Sequence, residues 1–452
     1  MLTKEHQANL IPTERKDEMN MEKNNTLLAG YGRVDVTPDW EVGLTGYQNS
    51  ERRKTTMVLD PVYVTCIAVR SGETTALLYT VDFTGICEPH NDKIRSMVEK
   101  ELGISGDYVY VSATHTHSSP ERSGDVEKLF YEGALKAAKE AVADLAPAKV
   151  MVGTKEIPGM NFVRHYLMED GTYSGSNFGD HSLKIVDHAT AGDPRMILVR
   201  FVREPKPDIL MMNWQAHNDN AHAVGFHNIS SSYTGRIRAY LEKDTGMHFA
   251  YFCGAGGNQN PESRIPEEKH GLNWLQYARK LSDYALEMLA ELKPVNGTEI
   301  KGVRLMYTHR TNHDWDHMEK EAKEVMKLWK ETNSAAEATK LARTFGLSSV
   351  YHANVLLGKI NTPKTDQLEM CAFRIGDLGF ITGTVEMFSN TGLYVRANSP
   401  FETTFILTGN SGYLPPVEAY DYRSYEADTA YFARGTQEEV REKYIELLNQ
   451  IK

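Results

Sequence analysis

Residues 108–120 read Tyr-Val-Tyr-Val-Ser-Ala-Thr-His-Thr-His-Ser-Ser-Pro, an apolar β-branched run that passes directly into a polar cluster holding His115 and His117. Such a run fits the pleated, half-buried surface of a strand. The same plan recurs three times. Residues 209–213 lead into His217 and Asp219, residues 248–253 into a cluster from Gly254 to Pro261, and residues 379–384 into Glu386 and Ser389. Further strands fit 62–69, 76–81, 196–202, 300–307, 371–375 and 403–407. Apolar residues at helical spacing mark 92–102, 125–145, 232–243, 271–292, 318–344 and 437–451, with a break expected near Asn333-Ser334. Strands alternate with helices, which predicts an α/β fold with mixed, largely parallel β-sheets flanked by helices. Open α/β sheets bind ligands outside the carboxyl ends of their strands, and there the four clusters can converge.

Bulk properties narrow the function. The chain has 452 residues and a net charge of -11 at pH 7, which disfavours nucleic acid and anionic membranes as partners. The four cysteines, Cys66, Cys87, Cys253 and Cys371, form no CxxC pair and read as buried reduced thiols rather than a structural metal site. The N-terminal stretch is polar, with no secretory h-region, and no run reaches transmembrane length, so a cytoplasmic location is expected. Residues 1–28 are expected to be a frayed or disordered segment. Residues 29–452 are expected to form one catalytic domain with a charged helical insertion around 313–345. The sequence does not give the oligomeric state.

The polar clusters carry the chemistry. Two histidines and a carboxylate, with an open position for water, make a catalytic zinc shell, and His115, His217 and Glu386 supply that set. In His115-Thr-His117 alternate residues of an extended chain face the same way, which would put one imidazole on the metal and the other on the attacking water. Taken singly, each histidine fits a hydrogen-bonded structural role equally well. His222 and His227 read as loop-surface residues rather than further ligands. The run His313-Asp-Trp-Asp-His317 reads as a helix N-cap region with exposed side chains rather than a metal cluster. Gly254-Ala-Gly-Gly257 lacks the Lys-Ser/Thr of a phosphate loop, and no helix pattern follows Gly30-Tyr-Gly32. Both glycine-containing stretches read as tight turns or close backbone approach. There is no GxSxG elbow of a serine hydrolase.

These clusters, in this order, resemble the catalytic domain of the neutral (alkaline, non-lysosomal) ceramidase family. The likeness starts at Gly30-Tyr-Gly-Arg-Val-Asp35-Val-Thr-Pro38, Gly43-Leu-Thr-Gly-Tyr47 and Asp60-Pro-Val-Tyr63. It continues through Thr114–Ser118, its most specific part, then Asn161-Phe-Val-Arg164 and Asn213-Trp-Gln-Ala-His217. Glu386 and the tract from Tyr413 to Tyr425-Glu426-Ala427 complete it, so that roughly residues 29 to 430 are covered. The family's Gly-Asp-x-Ser-Pro segment is replaced here by Gly257-Asn-Gln-Asn260-Pro261, and its Gly-Glu pair by Val385-Glu386. Only a short helical tail follows Glu426, so the family's C-terminal β-sandwich is expected to be missing.

The resemblance implies roles. His115, His217, Glu386 and Tyr413 look like Zn2+ ligands, with Tyr413 preferred to Tyr420, Tyr422 and Tyr425 by its spacing from Tyr425-Glu426-Ala427. His117 and Arg164 resemble residues that contact the substrate or orient the ligands, and Asn260 would donate a hydrogen bond where the family has serine. The expected activity is hydrolysis of the amide bond of a small N-acyl compound, lipids included, by metal-activated water. His117 would be the general base, and Tyr413 and Arg164 would stabilise the oxyanion. The alternatives are a zinc esterase or lactonase on the same shell, or a ligand-binding relative without catalysis.

Overall fold

The structure, a computed structural model, describes residues 26–47, 53–179, 182–221 and 226–452. A nine-stranded sheet is built chiefly from β1 (Leu28–Asp35), β2 (Tyr63–Ser71), β3 (Thr74–Val81), β4 (Val109–Ala113), β5 (Ala146–Glu156), β6 (Arg195–Arg203), β7 (Ile209–Trp214) and β8 (His248–Cys253). Their order across the sheet is β8-β7-β6-β5-β1-β2-β3-β4. Its outer face is covered by α1 (Glu88–Leu102) and α2 (Gly124–Ala143) at one end and by α3 (Ser232–Thr245) and α4 (Trp274–Met288) at the other. Side chains of α2 such as Phe130, Ala134 and Ala138 pack with Val64, Leu77 and Val111 of the strands.

The second sheet has the order β9 (Ile300–Arg310), β10 (Thr365–Ile375), β11 (Leu378–Gly383) and β12 (Thr403–Thr408). The insertion between β9 and β10 forms α5 (Glu319–Thr332), α6 (Ala335–Thr344) and α7 (Val350–Lys359), with a small apolar core of its own around Val325, Ala338 and Leu356. The expected break is there. Asn333 is left-handed at φ 59°, and the Ser334 hydroxyl caps Glu337 N at 3.2 Å. The insertion continues to Lys359, beyond the expected limit at 345, because α7 packs on the same small core. The outer face of the second sheet is covered by α8 (Ser389–Asn398) and α9 (Thr436–Ile451). The inner faces of the two sheets meet through Ile67, Val69, Val199, Phe252, Phe373, Phe380 and Phe405, so the molecule is layered helix–sheet–sheet–helix.

The sheets are mixed, as expected, but the weight given to parallel pairing needs correction. The pairs β1–β2, β2–β3, β1–β5, β5–β6, β6–β7, β9–β10 and β10–β11 are antiparallel. Short connections such as Gly72 at φ 55° join neighbouring strands as hairpins. Among the main strands, parallel pairing is confined to β3–β4, β7–β8 and β11–β12. Those three pairs carry the polar clusters at their carboxyl ends. Buried polar side chains tie the ends together: Ser112 Oγ donates to Thr408 O at 2.8 Å, Asn213 Nδ2 to Ile406 O at 2.8 Å, and Asn410 Nδ2 to Ala113 O at 3.0 Å. Each such bond contributes about 1 kcal/mol net, and leaving one unmade in this buried position costs more.

Residues 1–25 of the expected frayed segment lie outside the described residues. Leu27 is already buried, and its carbonyl accepts from Ala148 N at 2.9 Å. Gly30 and Gly32 lie in β1 rather than in a turn, and the close-approach reading holds for both. A Cβ on Gly32 would stand 2.1 Å from Ala137 O of α2, and one on Gly30 2.0 Å from Ala141 O. Cys66, Cys253 and Cys371 are buried thiols, and Cys87 is half-buried. No helix among the described residues is long and apolar enough to cross a membrane.

Candidate metal centre

β4 ends at Ala113, and the chain turns at His115, whose φ of 63° lies in the left-handed region. A non-glycine residue there costs about 1–2 kcal/mol, so the surrounding bonds must hold it. His115 N donates to Phe83 O at 3.1 Å, and the ring Nδ1 to Thr84 O at 2.6 Å, both acceptors lying just past β3. The extended geometry expected for His115-Thr-His117 is therefore replaced by a turn, which still brings the two rings together. Thr116 bridges Asn218 in parallel, with His117 N donating to Asn218 O at 3.2 Å. This aligns the first histidine segment with the second, which follows β7. His217 Nδ1 donates to Gly256 O at 3.1 Å, in the glycine cluster after β8. Gly257 lies against the backbone of Glu386, where a Cβ would meet Glu386 O at 2.9 Å.

Both anchored histidines thus carry their hydrogen on Nδ1 and turn an Nε2 lone pair inward. His115 Nε2 lies 3.5 Å and His217 Nε2 3.7 Å from Glu386 Oε2. His117 Nε2 is 3.2 Å from His115 Nε2. Since His115 Nε2 is the acceptor there, His117 donates. The ligand atoms of His115, His117 and His217 lie within 4.8 Å of one another.

The fit to a cation is shown by what these atoms lack. His217 Nε2 and Glu386 Oε2 are buried without a hydrogen-bond partner. Burial pushes the Glu386 carboxyl up to about 8, with Arg164 opposing. Burial also lowers His115 to about 4 and holds His217 well below the usual imidazole range. Neutral imidazoles are the form that binds metal, and a divalent ion beside Glu386 would reverse the penalty on its carboxylate.

Tyr413 follows β12 and bridges Glu386 in parallel register, and its hydroxyl opposes the upward shift of the Glu386 carboxyl. Arg164, 2% exposed, donates from Nη2 to the Tyr413 oxygen at 3.2 Å and to Gly257 O at 3.1 Å. Its Nη1 reaches Asn260 Oδ1 at 3.4 Å. Asn260 therefore accepts from Arg164 through its carbonyl oxygen, and Asn258 instead fixes the start of α8 through Ser389 N at 2.7 Å. All seven sequence-derived residues, His115, His117, Arg164, His217, Asn260, Glu386 and Tyr413, fall in one connected cluster.

No protein-family model and no curated protein matches the sequence. Among solved structures, the neutral ceramidase from Pseudomonas aeruginosa superposes with a TM-score of 0.68 at 16% identity, over 94% of this chain and 75% of that one. The fold is that of neutral ceramidase. A ceramidase complexed with C2 superposes with a TM-score of 0.67 at 16% identity, over 94% of this chain and 76% of that one. The superposition covers 94% of this chain, so the family resemblance read from the motifs extends to the architecture.

Three further residues frame the centre: Glu426 and Tyr422 from the tract after Tyr413, and His165, which carries no signal in the sequence. Glu426 Oε1 accepts from Arg164 Nε at 2.7 Å, Glu426 Oε2 lies 2.7 Å from His165 Nε2, and His165 Nδ1 lies 2.8 Å from the Tyr422 hydroxyl. Glu426 is 1% exposed; against the cost of burial, His165 and Arg164 hold its carboxyl down at about 2. Of the remaining candidates, His222 lies outside the described residues and His227 is exposed on a loop, as expected. His313 departs from the expected exposure, because its Nδ1 bonds Asp316 at 2.9 Å while Asp316 also holds Lys364 at 3.0 Å.

Proposed function

We propose that this protein is a metal-dependent hydrolase that splits the amide bond of a small N-acyl compound with water. His115, His217, Glu386 and Tyr413 hold Zn2+ in this reading. The observation that carries it is the pair of buried, unpartnered atoms His217 Nε2 and Glu386 Oε2, turned toward each other beside the His115 lone pair. Two imidazoles, a carboxylate and a phenol are a donor set that suits zinc better than magnesium or calcium. The likeness to proteins described as ceramidases supports an amide bond as the target, with lipids among the candidate substrates.

A zinc ion so held supplies Lewis acidity and brings the pKa of water toward about 7. The residues do the rest. Thr84 O and Gly256 O fix the two ligand tautomers. His117, half-buried at the edge of the cluster, takes the proton of the attacking water as the O–C bond forms. It returns that proton to the amine nitrogen as the C–N bond breaks, leaving a carboxylic acid and an amine. The Tyr413 hydroxyl, with Arg164 behind it, donates to the carbonyl oxygen as charge develops there.

A second reading of His117 has its own observation, since its ring nitrogen belongs to the group within 4.8 Å. It would then be a third imidazole ligand. His117→Ala separates the two. As general base, its loss leaves bound zinc near one per chain and lowers kcat by about 10²–10⁴-fold; as ligand, its loss empties the site. The proposal as a whole is tested by matched N-acyl and O-acyl substrates assayed before and after chelation. Chelator-sensitive cleavage of the amides is expected. Cleavage confined to the esters would make the protein an esterase, and bound zinc without turnover of either set would make it a binding protein.

A further inference from the structure

We infer that Glu426 and His165 are positioning residues, which act on the reacting carbonyl through Arg164 and Tyr413. This rests on the amide-hydrolase reading above. A carboxylate only accepts hydrogen bonds, so the His165 nitrogen facing Glu426 carries a hydrogen, while the other ring nitrogen pairs with the Tyr422 hydroxyl. Glu426 thus accepts from His165 on one side and from Arg164 Nε on the other. His165, Arg164 and Glu426 are all buried, so water does not compete for these bonds.

A guanidinium is a rigid planar fork, and pinning its Nε fixes where both Nη atoms point. Nη2 is thereby directed at Gly257 O and the Tyr413 oxygen, and Nη1 at Asn260. Four of the five N–H groups of Arg164 are committed to protein acceptors, and its charge is matched by Glu426. Arg164 is thus built to orient the phenol rather than to receive an anionic group of a substrate. The phenol oxygen accepts from Arg164, so its own hydrogen must turn the other way, toward Glu386 and the reacting centre. Glu426 and His165 thereby set the direction in which Tyr413 donates.

The test is a double-mutant cycle at saturating zinc, joined to a measurement that needs neither metal nor substrate. Glu426→Gln keeps the size and one acceptor. It is expected to lower kcat by about 30-fold while KM stays within about 3-fold. In a Tyr413→Phe background the same substitution should cost less than about 3-fold, because the group it acts through is gone. Equal losses in the two backgrounds overturn the inference. In metal-free protein carrying ¹³Cζ-tyrosine, the resonance that Tyr413→Phe deletes is expected to shift in Glu426→Gln; an unmoved resonance also overturns it. A wild-type chain that hydrolyses no amide sinks the amidase reading, while the tyrosine resonance still decides the positioning role. If Glu426→Gln does not fold, His165→Asn provides the same two readouts.

Discussion

Glu386→Ala is expected to remove bound metal and to lower kcat/KM by at least about 10³-fold, equivalent to ~4 kcal/mol of transition-state stabilisation. The Glu386 carboxylate faces both inward-turned imidazole lone pairs, at 3.5 Å and 3.7 Å. Two neutral imidazoles and a phenol without it keep neither the charge nor the fourth donor of the proposed shell. The folded chain should tolerate the change. In metal-stripped protein the Glu386 carboxyl is raised to about 8 from 4.5, so the native state binds more protons than the unfolded state between these values. Stability of the stripped wild type must then fall as pH rises through that window. Glu386→Gln removes this slope, and urea midpoints at pH 5 and pH 8 measure the difference. A variant that loses activity but keeps full metal content would place the ion elsewhere.

The second large effect is on stability. Arg164→Met leaves Glu426 buried with only His165 opposite it, and breaking a buried ion pair by removing one partner costs about 3–5 kcal/mol. In the wild type, His165 and Arg164 overcome burial and hold the Glu426 carboxyl at about 2, below its ordinary 4.5. Its pairing therefore contributes stability that is fully present above about 4.5 and is lost as pH falls through about 2. In Arg164→Met the Glu426 carboxyl titrates higher, so this acid-side loss should shrink while stability at pH 7 drops. Denaturant unfolding at pH 7 and at pH 3 tests both parts. Unchanged stability at pH 7 would mean that the Arg164–Glu426 contact is not made as described.

The parts that were legible in the sequence share a physical reason. The strands leading to His115, His217 and Glu386 are short apolar runs buried on both faces, so hydrophobicity alone marks them. β1 and β5 were missed for the opposite reason. β1 carries Gly30 and Gly32 where α2 presses on it, and β5 mixes Pro147, Lys149 and Lys155 into a half-exposed strand. The helix α8 was missed because its ten residues are weakly amphipathic and its start is fixed from afar by Asn258. Parallel pairing was over-weighted because alternation of strand and helix does not reveal which neighbours a strand takes.

The candidate site divides in the same way. The metal-ligating residue types stand at strand ends and announce themselves. What joins them is non-local: Thr84 O and Gly256 O are backbone atoms with no signature, and Glu426 finds His165 across 261 residues of sequence. A pairing of that span has no periodicity to betray it. The departures at Asn258 and Asn260 also become intelligible only in space, since one locks the start of a helix and the other takes a hydrogen bond from Arg164.

The most direct measurement is an anomalous difference map at the zinc edge, from crystals of protein purified without chelator. One peak is expected, about 2.0–2.2 Å from His115 Nε2, His217 Nε2 and a Glu386 oxygen. Density at another position, or a zinc-loaded protein with nothing between these three side chains, would contradict the metal centre and the chemistry built on it.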